Sequence, residues 1–213
     1  MSKISDNLLS LPIRLAHETL GLSPNQVSTV GFVVGLVAAG LVALGFLVPG
    51  LVVLAVSQIV DGLDGGVARR YNLRSGKGQL LEVIYDRLNE LAIFLALAFA
   101  GYASLKMVAL AFMAILLVTL IEPLSKFDPG FKRFMIYFGY AAMVLFNIEG
   151  FEIAMHVIFL ANLTGFVVGT IMVDYRLQRE IDTQAILRRE AERASGIPRP
   201  PDDPPSLLCR VFS

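Results

Sequence analysis

From Val27 to Val60 the chain contains no Asp, Glu, Lys or Arg. As a single helix, at about 1.5 Å per residue, that run would reach roughly 50 Å, against a bilayer hydrocarbon core of about 30 Å. It must fold back on itself, and Pro49-Gly50 in its middle marks the expected break. The first span is then about Asn25 to Leu47. The second has too few apolar residues before Asp61 to cross unless its helix continues through the charged stretch that follows. Asp61 is thereby expected about 16 Å from the turn, near mid-depth.

Composition fits such a chain. Of 213 residues, 55% are hydrophobic and only 17% charged, with a mean hydropathy of +0.67. A soluble domain of this size rarely carries its hydrophobicity in long uncharged runs. The formal net charge is zero, so charge as a total points to no partner, and no nucleic-acid partner is expected. The single cysteine, Cys209, excludes an intrachain disulfide and stands too far from a C-terminal tetrapeptide position for prenylation. His17 and His156, far apart, argue against a His/Cys zinc site.

The third helix mirrors the second. Its uncharged run, Leu91 to Leu105, is short, so the helix has to start near Gly78 and carry Glu82, Asp86 and Glu90 in its first half. Further spans read as Met107 to Ile121, Phe134 to Ile148 and Ile153 to Val173. The expected fold is an all-α integral membrane protein with about six transmembrane helices. Residues 1–23 precede them as an interfacial amphipathic helix rather than a signal peptide, with Leu8, Leu9, Leu11, Leu15 and Leu20 at helical spacing. The six-helix unit spans 24–175, and 176–213 reads as a polar helix followed by a proline-rich tail. Arg69, Arg70, Arg74, Lys77, Lys126, Lys132, Arg133, Arg176 and Arg179 fall on one side of these spans, with Lys106, Glu149 and Glu152 on the other. The positive-inside rule puts both termini and the acidic stretch on the cytoplasmic side, at the cell membrane if the source is prokaryotic. Gly31/Gly35 and Gly165/Gly169 have the spacing of close helix packing.

The acidic stretch carries the chemistry. Asp61 and Asp64 are spaced i, i+3 on one helix, and Glu82 and Asp86 are i, i+4 on the next, so each pair shares a face. Charged groups at membrane depth cost several kcal/mol each unless they line a functional site, in the range of about 2.5–3.5 on insertion scales. Four converging carboxylates need cations, and hard oxygen donors suit Mg²⁺ or Mn²⁺. Gly62, Gly65, Gly66 and Ala68 remove side-chain bulk beside them, and Arg69 follows Gly65 by about a turn, where a guanidinium can clamp a phosphate. Metals, an arginine and a carboxylate base together describe phosphoryl transfer.

The spacing D-x-x-D-G-x-x-A-R-x8-G-x3-D-x3-D resembles the signature of the CDP-alcohol phosphotransferases, integral membrane enzymes of phospholipid synthesis. It reads here Asp61, Asp64, Gly65, Ala68, Arg69, Gly78, Glu82 and Asp86, with seven of the eight positions matching. The resemblance implies a homodimer in the lipid bilayer, a two-metal site (Mg²⁺ or Mn²⁺), a CDP-lipid donor such as CDP-diacylglycerol, an alcohol acceptor, and release of CMP. It implies Asp61, Asp64 and Glu82 as metal ligands and Asp86 as general base and further ligand. It implies contacts to the nucleotide and its diphosphate from Gly65, Ala68, Arg69, Ser75 and Gly78, and from the segment Pro24, Asn25, Gln26 and Val27 that opens the first span. The departure is Glu82, where the family has aspartate. Its extra methylene displaces the carboxylate, which puts geometry and metal preference in question.

Lys126, Lys132 and Arg133, between the fourth and fifth spans, would suit a phosphorylated acceptor such as inositol phosphate or glycerol phosphate, although topology alone also accounts for them. A free acceptor such as inositol, serine or a lipid hydroxyl stays open. Arg87 is expected to pair with a carboxylate, whereas Asn89 and Glu90 read as polar helix residues outside the site. Two other readings stand beside the enzyme. One is a catalytically degenerate relative that binds CDP-lipid, supported by Glu82. The other is a cation or proton transporter, which explains the carboxylates but not the Ala-Arg pair or the spaced glycines.

Overall fold

In the computed structural model, residues 21, 23–71, 73 and 75–195 are described. Of the expected interfacial helix at 1–23, residues 1–20 and 22 lie outside them, as do Asn72, Arg74 and the tail at 196–213 with Cys209. Among the described residues six helices follow in order: α1 Pro24–Ala43, α2 Leu47–Arg70, α3 Gly76–Phe99, α4 Leu105–Ser125, α5 Lys132–Phe146 and α6 Gly150–Ser195. No strand occurs among the described residues.

Three helices begin at serine caps. Ser23 closes a capping box with Gln26, whose side-chain oxygen accepts from the Ser23 amide at 2.8 Å. Ser75 caps α3 by accepting from the Gly78 amide at 3.1 Å. Ser104 caps α4 and in turn donates from its amide and hydroxyl to Glu152 of α6, at 2.6 and 2.7 Å, which ties two helix ends together.

The break in the long apolar run is not at Pro49-Gly50. The chain turns at Leu44, Gly45 and Phe46, with Gly45 at φ +88, a backbone conformation that favours glycine. Pro49 sits in the first turn of α2, where it gives up no intrahelical hydrogen bond. Gly50 serves packing instead: a Cβ there would lie 2.5 Å from Val42 Cγ2 and 3.1 Å from the Ala38 carbonyl oxygen. With α2 starting at Leu47, Asp61 lies about 21 Å along it rather than 16 Å, nearer its C-terminal end.

All six helices feed one core, in which Phe94, Leu97, Ile115, Ile136, Met155 and Val42 are fully buried. α1 packs on α2 and α3, and α6 on α4 and α5. The outward faces are apolar as well: Val33, Val37, Val52, Ile59, Met113, Leu120, Phe138 and Leu160 are all exposed. Water does not tolerate that much exposed apolar surface, and a bilayer does. α1, α2, α4 and α6 are long and apolar enough to cross a membrane. Of the other two expected spans, α3 carries the charged half of the acidic stretch, and α5, with 15 residues, extends only about 22 Å. The chain is thus an all-α membrane protein. α6 continues past Asp174 without interruption, so the expected polar helix is the distal half of the last span's own helix.

Candidate active site

The site lies where the C-terminal part of α2 meets the first turns of α1 and α3. α2 supplies Asp61, Asp64, Gly65, Ala68 and Arg69, and α3 supplies Gly78, Glu82 and Asp86. Helical spacing sets each group on one face, and the packing of α1 against both helices brings the faces together.

A cavity of about 220 Å³ opens between them. It is lined by Pro24, Asn25, Asp64, Gly65, Ala68, Arg69, Ser75, Gly78 and Glu82, all expected from the sequence, and by Ser28, Leu73 and Gln79, which were not. At two of these places glycine leaves room for the end of a neighbouring side chain. A Cβ on Gly78 would stand 2.9 Å from Asn25 Oδ1, and one on Gly65 would stand 3.2 Å from the Arg69 guanidinium. Gln26 and Val27 face elsewhere: Gln26 completes the Ser23 capping box, and Val27 is buried against Val67.

Among the three unexpected residues, Ser28 is the one that holds a carboxylate. Its hydroxyl donates to Asp64 Oδ2, and the Gly65 amide donates to Asp64 Oδ1, so both oxygens of this buried carboxylate are engaged. Ser28 lies one helical turn after Pro24, and its i, i+4 place behind the segment that opens the first span was the available signal. Ser28→Ala leaves Asp64 Oδ2 without its donor and is expected to cost about 1.5–3 kcal/mol, read as a lowered thermal unfolding midpoint of the purified protein.

Asp61 and Asp86 meet a cation from a fourth helix. Arg133 of α5 places Nη1 3.0 Å from Asp61 Oδ2 and Nη2 on Asp86 Oδ1, and all three side chains are largely shielded. Arg87, which the sequence pairs with a carboxylate, meets the buried Glu90, Nη1 to Oε2 at 2.8 Å. Lys132 pairs with Asp128 at 3.0 Å. Burial alone would raise the Asp128 carboxyl, but the Gly130 amide and the Lys132 ammonium hold it below the usual carboxylate range. Lys126 caps α4 in a left-handed conformation and lines a separate apolar groove with Leu80 and Leu116. Of the three expected acceptor-side cations, Arg133 is the one that meets carboxylates of the acidic stretch.

The donor set fits a hard divalent cation. Asp61, Asp64, Glu82 and Asp86 offer only carboxylate oxygens, and every pair among them is close enough for mutual repulsion. As the side chains stand, no three acidic groups among the described residues converge on one point. The reason is visible: Asp64 is turned to Ser28 and Gly65, and the Arg133 guanidinium spans Asp61 and Asp86.

Known proteins resemble this chain in sequence and in fold. The inner membrane protein YnjF of Escherichia coli is 40% identical over 68 residues, 32% of either chain. An archaetidylinositol phosphate synthase of Pyrococcus horikoshii is 34% identical over 83 residues, 39% of this chain and 44% of that one. These matches thus span less than half of each relative's length. The crystal structure of Mycobacterium tuberculosis phosphatidylinositol phosphate synthase with CDP-DAG bound shares the fold at a TM-score of 0.64 and 18% identity, over 76% of this chain and 92% of that one. The CDP-alcohol phosphatidyltransferase model matches residues 22–158, well over half the chain and the whole of the cavity and acidic stretch. With that match, and with six of the eight signature residues lining one cavity, the chain belongs to the CDP-alcohol phosphatidyltransferase family.

Proposed function

We propose that this protein transfers a phosphatidyl or equivalent substituted phosphate group from a CDP-linked lipid to an alcohol, releasing CMP, in phospholipid synthesis. The observation that carries the reading is the cavity in which Asp64, Gly65, Arg69, Ser75, Gly78 and Glu82 come together beside Asp61 and Asp86. Pro24, Asn25 and Ser75 border the space for the nucleotide, and Gly65 lets the diphosphate approach the α2 backbone beside Arg69. Asp61, Asp64, Glu82 and Asp86 would hold Mg²⁺ or Mn²⁺, which when bound supplies neutralisation of the diphosphate charge. Asp86 acts as base. Its carboxylate takes the proton of the acceptor hydroxyl as that oxygen bonds to the lipid-side phosphorus, and the bond from that phosphorus to the bridging oxygen breaks, leaving CMP.

The acceptor we favour is inositol phosphate. The relatives named above as synthases of inositol phosphate lipids support it, as does a guanidinium, Arg133, at the acidic centre. Lys132, held by Asp128, and Lys126 are further cations on the same connection. The reading includes a homodimer in the bilayer with the site and both termini on the cytoplasmic side, where the positively charged connections would lie.

The test is CMP release by the purified protein with CDP-diacylglycerol or a CDP-linked archaeal lipid, Mg²⁺ or Mn²⁺, and one acceptor at a time. CMP is expected with inositol phosphate, and the absence of CMP from every combination while Glu82→Asp restores it would mean a degenerate member. Silence in both proteins would refute the reading. The second reading has one specific observation behind it, the glutamate at 82 where the family signature has aspartate.

A further inference from the structure

We propose that Gly165 of α6 is a positioning residue for the acceptor: it seats Pro129 of the α4–α5 connection and so fixes where Arg133 stands beside the acidic centre. This rests on the acceptor reading above and goes beyond it. Gly165 and Gly169 have the spacing of close helix packing, yet they serve different neighbours. Gly169 receives α4, since a Cβ there would lie 2.5 Å from Ile121 Cδ1 and 3.4 Å from Ser125 Oγ. The nearest neighbours of Gly165 lie instead on the connection. A Cβ there would stand 2.5 Å from Pro129 Cγ, 3.2 Å from Pro129 Cδ and 3.5 Å from Phe127 Cε1. A proline ring closes on its own backbone, so it cannot swing away from an added methyl. The connection itself would have to move.

That movement reaches Arg133, four residues beyond Pro129, because the connection is short and tightly held. Arg176 of α6 donates to the Leu124 carbonyl at 3.2 Å, and Ser125 Oγ accepts from the Phe127 amide at 3.2 Å. Asp128 Oδ1 accepts from the Gly130 amide at 3.1 Å and pairs with Lys132 Nζ at 3.0 Å. Lys126, Gly130 and Phe131 stand at φ 56, 64 and 60, and left-handed backbone at residues other than glycine persists only where the surroundings hold it. α5 then starts at Lys132, and Arg133 in its first turn forks to Asp61 Oδ2 and Asp86 Oδ1. A fork has to place both nitrogens at once, so it tolerates little displacement. The ligand most exposed to such a shift is the one that meets this guanidinium, the phosphate of the acceptor. The cavity assigned to the nucleotide is lined from α1, α2, the α2–α3 connection and the start of α3, none of which Pro129 carries.

The experiment is steady-state CMP release by the full chain in detergent with Mg²⁺, varying CDP-diacylglycerol and inositol phosphate in turn. Gly165→Ala is expected to raise KM for inositol phosphate about tenfold, a misplacement of 1 Å being able to cost about 10²-fold. KM for CDP-diacylglycerol is expected to stay within about twofold of native. Pro129→Ala empties the seat and is expected to raise the acceptor KM about threefold. In the double variant the added methyl takes the room the ring has left. Its acceptor KM is expected within about twofold of native, where independent effects would multiply to about thirtyfold.

A purely structural role for Gly165 would lower the unfolding midpoint and the amount of active enzyme without moving KM for one substrate alone. An acceptor KM unchanged in Gly165→Ala, a rise shared equally by both substrates, or effects that multiply in the double variant would overturn the proposal. If Gly165→Ala does not fold, Pro129→Ala decides, and an acceptor KM equal to native overturns it. Native protein that releases no CMP with inositol phosphate removes the acceptor reading and this proposal together. Native turnover without the selective shift removes this proposal alone.

Discussion

Asp86→Asn is expected to lower the rate of CMP release by about a thousandfold, within the range of about 10²–10⁴ that a positioned general base contributes. The amide is the same size as the carboxylate and keeps an oxygen toward Arg133, so the helices need not move. What it cannot do is accept the hydroxyl proton. The same change halves the negative charge that Arg133 bridges, and Arg133 Nη2 keeps only a neutral acceptor. Asp86 and Arg133 are both partly shielded, so a loss of some stability accompanies the loss of rate. Initial rates of CMP formation and the unfolding midpoint, measured on the same preparation, separate the two. A rate within tenfold of native, with the midpoint unchanged, would take the base role away from Asp86.

Gly150→Ala is expected to be the most damaging single-methyl change in the bundle. A Cβ at Gly150 would stand 2.0 Å from the Gly139 carbonyl oxygen, 2.8 Å from the Met143 amide nitrogen and 3.0 Å from the Gly139 carbonyl carbon. All three are backbone atoms of α5, so no side chain can swing aside to make room. α5 and α6 must separate at their closest approach, and overpacking of this kind costs about 1–3 kcal/mol. For a chain of this length that corresponds to a fall of roughly 2–12 °C in the thermal unfolding midpoint. Gly40→Ala is the matched control. Nothing lies within 4 Å of a Cβ there, and the residue is in the interior of α1, so the change should be neutral or gain about 0.5–1 kcal/mol. If both variants unfold at the same temperature as the native chain, the tight α5–α6 crossing is not a determinant of stability.

Asp86 and Gly150 differ in how far the residues around them announce their roles. The nearness of Asp86 to Asp61 is legible in the sequence because it depends on spacing along two helices, and helical periodicity converts spacing into a face. The same holds for Asp64, Gly65, Arg69, Gly78 and Glu82, which share the signature and line or border one cavity. The close approach at Gly150 was not legible. Nothing in the residues around 150 distinguishes a glycine that touches α5 from one that merely begins a helix.

The turn between the first two helices shows how local signals compete. Pro49-Gly50 looked like the break, but proline is tolerated in a first turn and Gly50 was needed against Val42 and Ala38. The bend fell instead on Gly45, which has the backbone freedom for φ +88 and no neighbour within 4 Å to restrict it. Propensity marked a region where a turn was required, and packing chose the residue.

By itself the sequence determined that the chain is helical and membrane-embedded, because uncharged runs of that length have no stable place in water. It also determined which carboxylates, glycines and arginine share one helix face. The tertiary structure decided what those groups touch. Ser28 reaches Asp64 across 36 residues, and Arg133 reaches Asp86 across 47 and Asp61 across 72. Contacts at such separations depend on how whole helices lie against one another, and that is set by the summed packing of the core rather than by any pattern local to the residues that meet.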